Sequence, residues 1–191
     1  MPPKITTVKL NSLPRKPRTS KINGAWRYLE GAHASGAGLF DGLNVLRQHG
    51  WDAQDRSARG RLNEDQTNLL RAAVVFTSSG LDACCKRLLR DALPALVQAN
   101  SVAEERFRRY VSSQLNGKVA TAIREAILDA SPRDALVRRY VEALTTASLQ
   151  GTDDLKKVRD ALGIAALRLP DARIDRLRDF FMADHRDRSR S

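Results

Sequence analysis

The stretch NEDQTNLLRAAVVFTSSGLDACCKRLLRDALP, residues 63–94, constrains this chain more than any other. Leu70, Ala73, Val74, Thr77, Leu81, Cys84 and Leu88 recur at steps of three and four. That spacing lays one apolar stripe along a helix of roughly 30 residues, about 45 Å long at 1.5 Å per residue. Asn63 is placed to cap its start, with Glu64 and Asp65 in the first turn, where the helix dipole favours negative charge. Pro94 is expected to stop it. Gly80 lies inside; glycine costs about 1 kcal/mol there against alanine, and its lack of a side chain lets a second helix approach closely.

Shorter helices follow, marked by their caps. Ser101 with Glu104 reads as a capping box ahead of Phe107, Tyr110, Val111 and Leu115, and Gly117 closes that segment. Val119, Ile123 and Ile127 suggest a short helix. Ser131 then Pro132 reads as cap and first helical residue before Leu136, Val137, Tyr140, Val141 and Leu144. Thr152 is expected to cap a helix carrying Leu155, Val158 and Leu162, ended by Gly163. Asp171 opens the last one, with Ile174, Leu177, Phe180 and Phe181 on its inner face. No alternating strand pattern is present. The fold class is all-α, a compact bundle of about five to seven helices.

Upstream, residues 22–50 read as a weaker helical pair broken near Gly36 and Gly38, joined by the polar connector 52–61. Residues 1–21 hold six Lys or Arg, four prolines and no acid, and read as a flexible basic arm. The expected organisation is therefore an arm (1–21), a helical extension with connector (22–61), and a bundle with a terminal motif helix (62–191).

The formal net charge of +11 comes mainly from arginine. Arginine binds phosphate with a bidentate fork, so the bias points toward nucleic acid. Aromatic residues are 5% of the chain, too few for base-stacking platforms. There is no apolar run long enough to cross a membrane and no secretory leader. The two cysteines, Cys84 and Cys85, are sequence neighbours on a helix, which suits a reducing, cytoplasmic setting better than a disulfide scaffold. His33, His49 and His185 are far apart and share no ligand spacing with the cysteines, so no metal site or other cofactor is expected.

The closing segment RLRDFFMADHRDRSRS carries the sharpest chemical pattern. Arg178 and His185 are seven residues apart, within about 20° of two full helical turns, and so share one face. A histidine can move a proton at a ribose hydroxyl near neutral pH, and a neighbouring guanidinium can stabilise charge on the phosphate under attack. A blander reading is also open: Asp175 with Arg178, and Asp184 with Arg188, are spaced as ordinary surface ion pairs. Arg27 and His33 form a second, six-residue match near the start.

The long helix LLRAAVVFTSSGLDACCKRLLRDALP, then KKVRDALGI, then a final Arg-polar-…-His segment resembles the HEPN family, over roughly residues 62–185. That resemblance implies an all-α ribonuclease of toxin or phage-defence type. It implies Arg178 and His185 as catalytic residues with Asp179 as their polar support. It further implies RNA as substrate, a homodimer with motifs from both protomers lining one cleft, and a cognate antitoxin or defence partner. The alternatives from the residues themselves are a non-catalytic helical adaptor that binds nucleic acid, and a scaffold that uses its long apolar stripe.

Overall fold

The computed structural model describes residues 7–52, 62–115 and 120–164. Among these residues the chain is all-α, without a strand, as its periodicity predicts. A short 3-10 turn, Ser20–Ile22, leads into six helices: α1 (Asn23–Asp52), α2 (Glu64–Ala99), α3 (Ser101–Leu115), α4 (Ala120–Ile127), α5 (Pro132–Thr146) and α6 (Thr152–Ala161). No described helix is long and apolar enough to cross a membrane. Contacts divide the chain into two units, Met1–Arg87 and Leu88–Ser191.

In the first unit α1 is one continuous helix of 30 residues, not the expected broken pair. Gly36 is buried and stays helical. A side chain there would meet the Thr77 methyl at 3.0 Å and Leu10 at 3.1 Å. The glycine therefore marks close packing, which a side chain at this position would disrupt. Thr77 can turn its methyl to this contact because its hydroxyl donates to the Ala73 carbonyl of its own helix. Gly80 carries the same logic further: a Cβ there would lie 2.0 Å from the Ala32 Cβ. Ala25, Trp26, Leu43, Ala73 and Cys85 are also buried in this unit, with Gln66 among its polar residues. Trp26 satisfies its indole N–H on Glu30 at 2.6 Å, one turn along α1.

The start of α2 is capped as expected, and reciprocally. Asn63 Oδ1 accepts from the Gln66 amide at 2.9 Å, and Gln66 Oε1 accepts from the Asn63 amide at 3.2 Å. The end of α2 differs from expectation. The helix passes through Pro94 and runs to Ala99. Proline removes one ladder hydrogen bond at a cost of about 3 kcal/mol. Leu89, Leu93 and Val97, all at 0% exposure, flank it on the buried face, and their burial at about 1.5–3 kcal/mol each outweighs that loss. The buried register also shifts. Cys85 and Leu89 are buried where Cys84 and Leu88 were expected, and both of those are half-exposed.

The second unit packs the end of α2 with α3–α6. The ring centroids of Phe107 and Tyr140 lie 5.8 Å apart, and those of Tyr110 and Tyr140 lie 4.8 Å apart. Ile123, Val137, Leu149, Val158 and Leu162 fill the remaining core. The cap of α3 is Asn100, not Ser101: its Oδ1 accepts from the amides of Val102 and Ala103 at 2.9 and 3.1 Å. Glu104, freed from a capping role, pairs with Arg108 and Arg133 instead. Ser131 sits at the cap position of α5 with Pro132 following, but its side chain makes no cap bond. Gly151, not Thr152, is the cap residue of α6. That helix closes on Gly163 at φ +69°, with Gly163 N–H donating to Asp160 and Ile164 N–H to Arg159. This pair of bonds is the Schellman arrangement.

Candidate functional site

The motif residues Arg178, Asp179 and His185 lie outside the described residues, as does the helix expected to begin at Asp171. The earlier Arg–His match is described, and it does not assemble. Arg27 and His33 both belong to α1, but six residues turn a helix by about 600°, which leaves them roughly 120° apart. His33 is also engaged elsewhere, its Nε2 lying 2.8 Å from the Asn11 carbonyl.

Two shallow clefts lie on the second unit. One, of about 350 Å³, is lined by Glu125, Ala126, Asp129, Ala135, Arg138, Arg139 and Glu142. The other, of about 390 Å³, is lined by Arg90, Pro94, Arg138, Val141, Glu142 and Thr145. Arg138 and Arg139 are present, but Glu125, Asp129 and Glu142 on the walls of the first cleft neutralise them. Arg138 pairs with Asp129 at 3.3 Å, and Arg139 reaches Glu142 at 3.3 Å and Glu125 at 3.9 Å. A phosphate approaching Arg138 or Arg139 would have to displace a resident carboxylate. Arg90, exposed on the second cleft, has no ion pair among the described residues.

That balance holds across the described residues of the second unit. Residues 88–115 and 120–164 carry eleven Lys or Arg against ten Asp or Glu. Eight of those eleven cations are ion-paired: Arg108, Arg109, Arg133, Arg138, Arg139, Lys156, Lys157 and Arg159. Glu104 shows the consequence locally: hydrogen bonds from Arg108 and then Arg133 hold its carboxyl below the usual range.

The longest acid-free run of unpaired cations among the described residues is at the start of the chain. Lys9, Arg15, Lys16, Arg18, Lys21 and Arg27 are all exposed, and residues 7–29 contain no acid. None of the six has an ion-pair partner among the described residues. This segment is anchored to α1 at named points. The Val8 amide donates to Asn44 Oδ1 at 2.9 Å, and Asn44 Nδ2 donates back to the Val8 carbonyl at 2.8 Å. The side-chain amide of Asn44 thus serves Val8 as a neighbouring strand would. Leu10 approaches Gly36, and Asn11 meets His33. Composition alone could not show this anchoring, because an asparagine inside a helix carries no label of its partner.

Cys85 is buried, and burial first, then neighbouring Cys84 and Asp82, push its thiol up to about 11. Burial raises Cys84 as well. Both thiols are therefore protonated and poorly nucleophilic at neutral pH. No group of three or more His, Cys, Asp or Glu is placed to hold a metal among the described residues. No family model matches the chain, and no curated protein or solved structure matches it.

Proposed function

We propose that this chain is a metal-independent endoribonuclease of the HEPN type. His185 moves the proton at the attacking 2′-hydroxyl and at the leaving 5′-oxygen. Arg178 stabilises the charge that builds on the phosphate, and Asp179 supports the pair. The observation that carries this reading is the seven-residue spacing of Arg178 and His185, which in a helix presents both to one phosphodiester. The all-α architecture of the described residues is the scaffold the reading requires. It includes a cytoplasmic homodimer whose two motifs share a cleft, and a toxin or defence role restrained by a partner protein.

The test is RNA cleavage in EDTA. Products should end in a 2′,3′-cyclic phosphate. His185→Ala should slow cleavage by about 10²–10⁴-fold, the usual range for a lost general acid–base. Arg178→Ala should cost a comparable factor, about 10²–10³ for a lost charge stabiliser. RNA left intact by the wild-type protein, or cut equally by both variants, refutes the proposal.

The uncompensated cations of residues 9–27 favour a second reading, a non-catalytic helical protein that binds nucleic acid. Binding that falls with salt and ignores His185→Ala, with no cleavage, selects this one.

A further inference from the structure

We infer that residues 7–21 form a pre-set cationic strap, held on α1 by Asn44 and His33, that docks the phosphate backbone of single-stranded RNA. That the polyanion is RNA rests on the proposed activity; the affinity for phosphate rests on the strap alone.

Three features set the strap apart from a basic tail. First, it has sides. Val8, Leu10 and Leu13 are partly buried, while Lys9, Arg15, Lys16, Arg18 and Lys21 are exposed. Second, its backbone is restricted. Pro14 and Pro17 fix their own φ and push Leu13 and Lys16 toward extended conformations, and Thr19 is extended at φ −84°, ψ 133°. Third, two points pin it. Asn44 makes both hydrogen bonds of Val8, and His33 meets the Asn11 carbonyl. Ordering the segment beforehand lowers the entropy lost when a flexible polyanion binds.

The chemistry selects the partner. Five strap cations and Arg27 lie on a segment free of acid, so an anion meets no resident carboxylate, in contrast to the clefts of the second unit. Arginine forks suit phosphate oxygens. The strap has no aromatic side chain, so it would grip backbone and ignore base sequence. Its larger apolar side chains are the partly buried ones, which leaves little to insert into a lipid surface and argues against a membrane partner.

The experiment measures binding of the full-length chain to a 2′-O-methylated single-stranded 20-mer, which cannot be cut through its 2′-oxygen. Affinity is followed by fluorescence anisotropy from about 50 to 200 mM salt. Combining Lys9→Gln, Arg15→Gln, Lys16→Gln and Arg18→Gln should weaken binding tenfold or more. It should also flatten the log–log salt slope by about 3, at about 0.7 per lost phosphate contact on a single strand. Asn44→Ala keeps every cation, so it should weaken binding about two- to fivefold while moving the slope by less than about one. Circular dichroism checks that each variant keeps its helix content. An unchanged affinity and slope in the quadruple variant overturns the strap, as does an absence of binding by wild type. Asn44→Ala binding as tightly as wild type overturns the pre-set geometry. Loss of binding to phosphatidylserine vesicles with RNA binding intact assigns the strap to membranes and overturns the inference. The two proposals separate cleanly. Strap-dependent binding with unmodified RNA left uncut removes the nuclease and keeps the strap; cleavage with strap-independent binding does the reverse.

Discussion

Glycines show how much one atom matters in the first unit. At Gly80 a methyl would sit 2.0 Å from the Ala32 Cβ, and neither backbone-tethered atom can swing away. Gly80→Ala should therefore destabilise the fold by about 1–3 kcal/mol despite better helix propensity. Gly38, on α1, has nothing within 4 Å of the same position, so Gly38→Ala should stabilise by up to about 1 kcal/mol. Urea midpoints of the two variants, moving in opposite directions, check the pair. Cys85 gives a pH signature. Its thiol is raised in the folded state, so the neutral form is favoured there and the unfolded chain ionises first. The stability this contributes is fully present below about 8.5, the free-thiol value, and is lost as pH rises toward about 11. Wild type should lose stability over that window more steeply than Cys85→Ala, measured by urea titration at stepped pH. Thiol titration in the native state at pH 8 should be slow at both cysteines, because burial raises both.

At the scale of elements, α3 and α6 share one joint. Asn100 caps α3, and the glycine that closes α6 lies against it: a Cβ on Gly163 would meet Asn100 Oδ1 at 2.6 Å and the Ala103 nitrogen at 3.0 Å. Asn100→Ala should cost about 1–2 kcal/mol, the usual range for a lost N-cap. Gly163→Ala should cost at least about 1 kcal/mol from its left-handed backbone alone. Denaturation of the double variant should fall short of the sum, because removing the Asn100 amide also removes the atom that a methyl at 163 strikes. Caps were legible in the sequence as chemistry but not always as position. Asn63 is legible because acidic residues follow it. Asn100 is not, because Ser101 with Glu104 fits the capping-box pattern equally well, and only geometry separates candidates one residue apart. Likewise Gly36 and Pro94 look like breakers in a local reading. Both stay helical because tertiary burial, invisible in a window of residues, outweighs their local cost.

Across the described residues of the molecule, charge is sorted. Among the described residues, 88–115 and 120–164 nearly balance their cations with carboxylates, whereas residues 7–29 hold six cations and no acid. Composition shows the total of +11 but not which arginines already have partners. The all-α class was fully legible, because stripes at helical spacing persist through most of the chain. The strap was legible as basic and proline-rich, but its anchoring depends on Asn44 and His33, whose contacts bridge 36 and 22 residues of sequence. The motif Arg178, Asp179 and His185 is legible only as spacing, and its geometry lies outside the described residues.

The two pins that hold the strap have a consequence for its length. Val8 and Asn11 engage fixed places on one helix, so the interval between them has to match the distance from Asn44 to His33. One inserted residue would exchange inward for outward side chains along an extended chain, bringing lysine to the helix and leucine to water. That interval is therefore closed to insertion, while the outward-facing residues beyond it stay free to be traded for one another.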